Sequence, residues 1–99
     1  KDSYEVLTAY DGFRGLEVLD SNIDISIVIS DMKMPGMNGI EFIKKARQKY
    51  PNKKYYILTG FEISKDINEA LRNGLILEYF CKPFEIAKMH TIIAEAVKG

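Results

Sequence analysis

The chain has 99 residues, enough for one small domain with a single core and too few for two. Basic and acidic residues number 14 each, so no charge excess argues for nucleic acid or an anionic membrane as a direct partner. No apolar run is long enough to span a bilayer and no signal-peptide pattern is visible, so no membrane partner is predicted. The single cysteine, Cys81, cannot form an internal disulfide. This suits a reducing cytosol and predicts a cytoplasmic protein, with Cys81 as a small buried hydrophobe.

The chain begins with an alternation of strand and helix patterns. Tyr4 to Ala9 is typical of a strand, and Asp11 can cap a short helix after it. The apolar stripe predicted for that helix consists of Phe13, Leu16 and Leu19. The β-branched run from Ile25 to Ile29 then predicts a second strand, buried on both faces and ending at Asp31, although a turn of buried helix has a similar pattern.

The same alternation continues. A second helix is predicted from near Ile40, with an apolar face formed by Ile40, Ile43 and Ala46. Lys54 to Leu58 predicts a third strand. Ser64 is a candidate N-cap for a third helix that ends at Gly74.

The last unit completes the pattern. Leu75 to Cys81 predicts a fourth strand, and the final helix is expected from about Glu85. Four strand–helix units with short connections predict an α/β fold: a doubly wound parallel sheet with helices on both faces, in one domain over residues 1–99.

Three polar residues fall at the ends of three successive predicted strands: Asp31, Thr59 and Lys82. In a parallel sheet these ends lie along one edge, so the three side chains can converge. A carboxylate, a hydroxyl and an ammonium suit a phosphoryl group, as nucleophile, hydrogen-bond donor and counter-charge. Gly60 leaves room beside them.

At these positions the sequence resembles response-regulator receiver domains of two-component signalling. The stretch from Asp31 to Gly39 matches the D-x-x-M-P-x-x-x-G signature of that family. Thr59-Gly60 and Lys82-Pro83-Phe84 match its other two landmarks in order. The resemblance runs the length of the chain and implies the flavodoxin-like receiver fold.

The resemblance also implies roles. Asp31 would accept phosphate from a phosphohistidine on a sensor histidine kinase or phosphotransfer protein, and Lys82 would pair with the phosphoryl group. Thr59 would move toward it as the switch, together with a rotamer change of Tyr79. The family's structural positions fall on Pro35, Gly39, Gly60 and Pro83, and the Lys82–Pro83 peptide would be the family's cis bond. The domain would not be an enzyme beyond self-phosphorylation and autodephosphorylation at Asp31.

The implied output surface comprises the helix from about Ser64 to Asn73, the strand that holds Tyr79, and the last helix, Glu85 to Val97. An output domain or separate partner would bind there.

The sequence departs from the family in one respect. Receiver domains have five βα units, and the four found here lack the counterpart of the first, so the domain is expected to be N-terminally incomplete. That unit normally supplies an acidic pair which holds Mg²⁺ with the phosphoacceptor. Here Asp31 and the Lys33 carbonyl are the matching ligands, whereas Asp2 and Asp11 stand at the wrong places.

The absent strand normally lies inside the sheet, between the counterparts of Tyr4–Ala9 and Ile25–Ser30. Three hypotheses follow: the chain lacks its natural N-terminus, another chain fills the gap by dimerisation or strand exchange, or the two strands pair directly.

Two other hypotheses about function are retained. A degenerate receiver that binds partners without phosphate is the main alternative, and an enzyme of another doubly wound family is a weaker one. His90 has no Cys or His partner at metal-ligand spacing and is expected on a helix surface or at the boundary of the core. The cluster from Lys44 to Lys49 is expected to be a solvated helix face.

Overall fold

Four strands form one parallel sheet whose spatial order follows the chain. A computed structural model describes residues 5–22, 24–60, 63–82 and 85–98. The elements are β1 (Glu5–Ala9), α1 (Gly12–Ser21), β2 (Ile25–Asp31), α2 (Gly39–Lys49), β3 (Lys54–Thr59), α3 (Lys65–Arg72), β4 (Glu78–Cys81) and α4 (Ile86–Lys98). The sheet order is β1-β2-β3-β4, and every neighbouring pair is parallel. The predicted α/β fold with four strand–helix units is confirmed. Some predicted positions lie outside the described residues: Asp2, Tyr4, Pro83 with its peptide bond, Phe84 and the side chain of Val97.

Direct pairing of β1 with β2 is the third of the sequence-based hypotheses, and it is the arrangement found. Val6 pairs with Ile27 and Ala9 with Ser30, with a register irregularity between Glu5 and Val6. No strand separates the two.

The helices divide unequally between the two faces of the sheet. Because the strand order does not reverse, right-handed crossovers carry the three connecting helices to the same face. The core on that face draws on α1, α2 and α3, with Leu19, Phe42 and Ile67 fully buried. The other core lies under α4, where Met89 and Ile93 cover Ile27 and Phe80. The sheet is thus covered on both faces, as predicted.

Local sequence explains where the helices begin and end. Asp11 caps α1, its carboxylate accepting from the Phe13 and Arg14 amides. Ser64 caps α3 as predicted. Gly74, with φ of 77°, ends α3: its N–H donates to Leu71 O, and the next N–H donates to Ala70 O.

Two sequence predictions about the core were wrong. Phe13 was expected in the apolar stripe of α1, yet its ring is 60% exposed. Leu19 is buried as predicted, but Gly12 and Gly15 face inward in place of Phe13. At Gly15, α1 approaches α2 too closely for a larger side chain, since a Cβ there would lie 2.8 Å from the Phe42 ring. Cys81 was expected to be buried and is only half-buried.

The fourth strand is shorter than predicted. β4 begins at Glu78 rather than Leu75, because Leu75 and Ile76 both donate their amides to Ala70 O and so belong to the turn that closes α3. Leu77, 54% exposed, donates its amide to Tyr55 O and leads into the ladder.

No helix in the described ranges has the length and apolar character needed to cross a membrane.

Candidate functional site

The three predicted site residues line one open cleft of about 850 Å³ at the carboxyl edge of the sheet. Asp31 and Thr59 are the last residues of β2 and β3, and Lys82 follows the last residue of β4. The convergence predicted for them is therefore present. The cleft is also lined by Met32, Lys33, Met34, Asn38, Gly60, Ser64 and Ile67.

The centre of the cleft is an ion pair. Lys82 Nζ donates to Asp31 Oδ2 at 3.0 Å across 51 residues of sequence. The Asp31 side chain is 16% exposed and that of Lys82 is 40% exposed. The carboxylate is thus largely sheltered, while the Lys82 side chain is partly exposed.

Thr59 is 4% exposed and lies on the strand between the other two residues. Its carbonyl accepts the Lys82 amide at 2.8 Å, which fixes the start of the Lys82 segment against β3. On the other side, the Met32 amide donates to Leu58 O at 2.9 Å, so the chain that leaves Asp31 is held against the same strand. β3 therefore positions both halves of the ion pair.

The loop after Asp31 folds back onto it. The Gly39 amide donates to Met32 O at 2.8 Å. An added Cβ on Gly39 would lie 2.6 Å from Asp31 O and 3.0 Å from Ser30 Oγ, so this position requires glycine. Within the loop, Gly36 has φ of 78°, a conformation that glycine adopts without strain, and follows the exposed Pro35.

Ser30 and Asn38 are site-supporting residues that the sequence analysis missed. Ser30 is fully buried, and its hydroxyl donates to Asp31 O at 2.9 Å. Asn38 and Glu41 form a reciprocal capping box that begins α2 beside the cleft. The N-x-x-E spacing could have revealed the box, whereas nothing local distinguishes Ser30.

Glu85 makes a polar contact near the site that was not predicted from the sequence. Its carboxylate accepts the Cys81 amide at 2.8 Å, and its own amide donates to Cys81 O at 2.9 Å. The bond from the Cys81 amide lowers the pKa of Glu85, and burial raises the pKa of the Cys81 thiol. The strand end that precedes Lys82 is thereby tied to the start of α4.

Tyr79, the other predicted switch residue, is half-buried and does not line the cleft. Tyr79 on β4 pairs with Ile57 on β3, and Thr59 on β3 pairs with Cys81 on β4. Tyr79 and Thr59 therefore lie on the same face of the sheet, on neighbouring strands and offset by two residues. His90 is exposed on α4, as predicted.

The lining residues do not fit a magnesium site by themselves. Asp31 is the one carboxylate among the described residues of the cleft, and its Oδ2 is already paired with an ammonium. Across the described part of the chain, no three His, Cys, Asp or Glu residues are grouped to hold a metal ion. Mg²⁺ needs near-octahedral oxygen coordination, which one carboxylate and the Lys33 carbonyl cannot provide.

Comparisons of sequence and of structure with known proteins identify the same family. The family model described as "Response regulator receiver domain" matches residues 1–94. Sporulation initiation phosphotransferase F of Bacillus subtilis is 33% identical over 98 residues, which cover 99% of this chain and 74% of that protein. The signal receiver domain of an HD domain-containing protein from Pseudomonas fluorescens superposes with a TM-score of 0.78 at 28% identity, covering 89% of this chain and 70% of that one.

Other relatives are much longer. The hydrogenase transcriptional regulatory protein HoxA of Cupriavidus necator is 28% identical over 75 residues, which cover 76% of this chain. That match spans 16% of HoxA, and the match to HoxA of Bradyrhizobium diazoefficiens spans 20%. Sequences of this kind therefore occur as one part of larger regulators.

Proposed function

Because this chain belongs to the response-regulator receiver domain family, we propose that Asp31 is its phosphoacceptor and that phosphorylation switches the surface of α3, β4 and α4. The observation that carries the proposal is the ion pair between Lys82 Nζ and Asp31 Oδ2 in a cleft that Thr59 also lines. The phosphodonor would be a phosphohistidine on a sensor kinase or phosphotransfer protein, the partners typical of the family.

The proposed chemistry is transfer of a phosphoryl group to a carboxylate. Lys82 engages Oδ2, so Oδ1 is the oxygen that attacks phosphorus. The P–N bond to the donor imidazole breaks, its electron pair remains on the imidazole nitrogen, and an acyl phosphate forms on Asp31. The Lys82 ammonium then neutralises part of the phosphoryl charge, and the Thr59 hydroxyl donates to a phosphoryl oxygen. Mg²⁺ is the usual cofactor of the family, and where it binds it supplies further charge neutralisation.

The proposed switch uses the common face of Thr59 and Tyr79. Movement of the Thr59 hydroxyl toward a phosphoryl group changes the space above Ile57, against which Tyr79 is paired. Tyr79 packs at the margin of the core shared by α2 and α3. A change in its rotamer would therefore alter the surface where an output domain or partner binds, by population shift between two conformations.

Phosphorylation can be tested directly with acetyl phosphate, with and without Mg²⁺, followed by intact mass spectrometry. We expect one added phosphoryl group on the wild type and none on Asp31→Asn. Asp24→Asn is the matched control, because Asp24 is an exposed carboxylate just before β2. Lys82→Ala should slow the reaction by about 100-fold, the usual consequence of removing one charge-stabilising group. A phosphorylated Asp31→Asn variant, or an unmodified wild type under both conditions, would refute the proposal.

The conformational switch can be tested separately from phosphorylation. Amide NMR shifts should appear on phosphorylation at Thr59, Tyr79 and along α3, and Thr59→Val should abolish those at Tyr79 while leaving the added mass. If the phosphorylated protein shows shifts confined to the cleft, the switching half of the proposal fails.

A second candidate is a phosphorylation-independent interaction domain. The observation that favours it is that the described cleft residues supply one carboxylate, too few for the metal that assists phosphorylation. Unchanged partner binding by wild type and Asp31→Asn, with no phosphorylation of either, would establish this alternative.

A further inference from the structure

The outer edge of β1 has no strand paired with it among the described residues. β1 is the first strand in the sheet order and pairs on one side only, with β2. An unpaired edge presents backbone N–H and C=O groups to any extended chain that reaches it. Proteins commonly protect such an edge with a charged residue or a proline, but residues 6–9 of β1 contain neither. The edge therefore has the chemistry needed to accept a further strand.

A slot of about 200 Å³ runs along this edge, between β1 and α1. Residues 7–10 all line it, and successive residues of a strand point to opposite faces of the sheet. The slot therefore follows the backbone of β1 and not one face of it. Gly15 and Val18 of α1 form the other wall. Pockets for drug-sized ligands have volumes of about 300–1,000 Å³, so a slot of this size suits single side chains of a peptide.

Two charged side chains line the slot, Asp11 and Arg14, and only one of them is engaged. The Asp11 carboxylate accepts the amides of Phe13 and Arg14 as the N-cap of α1. The exposed Arg14 guanidinium has no hydrogen-bond or ion-pair partner among the described residues. No lining residue adjoins, in sequence, a residue outside the described ranges. Because α1 begins just after β1, this cation lies at the carboxyl end of the strand.

We propose that the slot binds an extended peptide segment that ends in a carboxylate, as a further strand parallel to β1. Main-chain hydrogen bonds join the segment to the β1 edge, and its carboxylate pairs with Arg14. Small apolar side chains of the segment contact Leu7 and Val18, which are both half-buried. The inference goes beyond the phosphoacceptor proposal and does not require phosphorylation of Asp31.

The position of α1 favours a bare extended segment over a second copy of this chain. α1 lies directly over β1, since an added Cβ on Gly15 would lie 3.3 Å from the Ala9 Cβ. A second copy that continued the sheet through its own β1 would bring its own α1 to the shared edge, and the two helices would compete for one space. An extended segment carries no such helix.

The test is titration of the chain with a short acetylated peptide of alternating serine and valine that ends in a free carboxylate. The same peptide with an amidated C-terminus is titrated beside it. We expect amide NMR shifts at Leu7, Thr8 and Tyr10, and slower hydrogen exchange along β1. The amidated peptide should bind about tenfold more weakly, because it cannot form the charge-assisted pair with Arg14.

Arginine variants test the charged end of the slot. Arg14→Gln should bind the free-carboxylate peptide about tenfold more weakly and should lose the preference for it over the amidated peptide. Arg14 is exposed, so its replacement leaves the fold intact. Arg72→Gln is the matched control, because Arg72 is an exposed arginine of α3 that does not line the slot. Its affinities for both peptides should equal those of wild type.

Methylation of the peptide nitrogens tests strand addition itself. In an extended segment at a sheet edge, alternate amides face the neighbouring strand and the others face away from it. Methylating the set that faces β1 should abolish binding, whereas methylating the other set should change the affinity by less than about twofold.

Equal binding of the free and amidated peptides to wild type, equal effects of the two methylation patterns, or no shifts at millimolar peptide would overturn the proposal. Protection of the β1 amides that rises with protein concentration in the absence of peptide would assign the edge to a second copy, and would overturn it as well.

Discussion

The Cα of Gly39 packs against the carbonyl oxygen of Asp31 so closely that an added Cβ would lie 2.6 Å from it. The obstacle is backbone at the end of β2, which cannot rotate away as a side chain can. We expect Gly39→Ala to destabilise the protein by about 1–3 kcal/mol, the usual penalty for overpacking a tight contact. Chemical denaturation measures it.

Gly60→Ala is the matched control, since no atom of the described residues lies within 4 Å of its would-be Cβ and its φ is not positive. Its free energy of unfolding should stay within about 0.5 kcal/mol of wild type. Equal losses in the two variants would mean that glycine at position 39 serves backbone flexibility, not close packing.

Phe42 of α2 and Phe13 of α1 should differ sharply in their contribution to the free energy of unfolding. Phe42 is fully buried and contacts the surface of α1 at Gly15, whereas Phe13 is 60% exposed. Phe42→Ala should cost about 3–5 kcal/mol, and Phe13→Ala less than about 1 kcal/mol. Thermal and urea unfolding of both variants decide this. A larger loss for Phe13→Ala would restore the sequence-based prediction that Phe13 belongs to the core stripe.

Tyr55 makes stability depend on pH in the alkaline range. Its side chain is 2% exposed, its hydroxyl donates to Tyr50 O at 2.7 Å, and burial raises its pKa to about 12 from the usual 10. The unfolded chain loses this proton near pH 10 and the folded chain near pH 12. The contribution is therefore complete below pH 10 and is lost as pH rises toward 12, by an amount on the order of 2 kcal/mol.

Tyr55→Phe isolates that effect. At pH 7 the variant should lose about 1 kcal/mol with the hydrogen bond. Between pH 10 and 12 its free energy of unfolding should fall less steeply than that of wild type. Parallel curves over this window would show that Tyr55 does not carry the dependence.

The contact between Glu85 and the Cys81 amide should protect that amide from hydrogen exchange. Glu85→Ala removes the acceptor 2.8 Å away, and we expect exchange at Cys81 to accelerate about fivefold to tenfold. Glu85→Gln keeps a carbonyl acceptor and should retain most of the protection.

Lys88→Ala is the second control, because Lys88 pairs with the other carboxylate oxygen of Glu85 at 3.5 Å and not with Cys81. Its Cys81 exchange rate should remain that of wild type. If Glu85→Gln exchanged as fast as Glu85→Ala, charge rather than the hydrogen bond would be the source of protection.

The number and order of the strands and helices, and the order of the site residues along the chain, could be predicted from the sequence. Strand and helix periodicities, the caps at Asp11 and Ser64, and the stop at Gly74 depend on neighbours within a few positions, so they were readable locally. The same is true of Asp31 and Thr59 at strand ends and of Lys82 just beyond one. Together with the motifs around them, these residues are enough to indicate the family from the sequence alone.

Which surfaces pack together could not be predicted from local sequence. The pairing of β1 with β2, the outward turn of Phe13 and the burial of Ser30 beside Asp31 all depend on residues far apart in the chain. Strand order is set by backbone hydrogen bonds and shared cores, and a helix face is chosen by how closely its neighbour approaches. Local propensities depend on neither the strand order nor the approach of a neighbouring helix. They therefore did not predict that Gly12 and Gly15, rather than Phe13 between them, face the core.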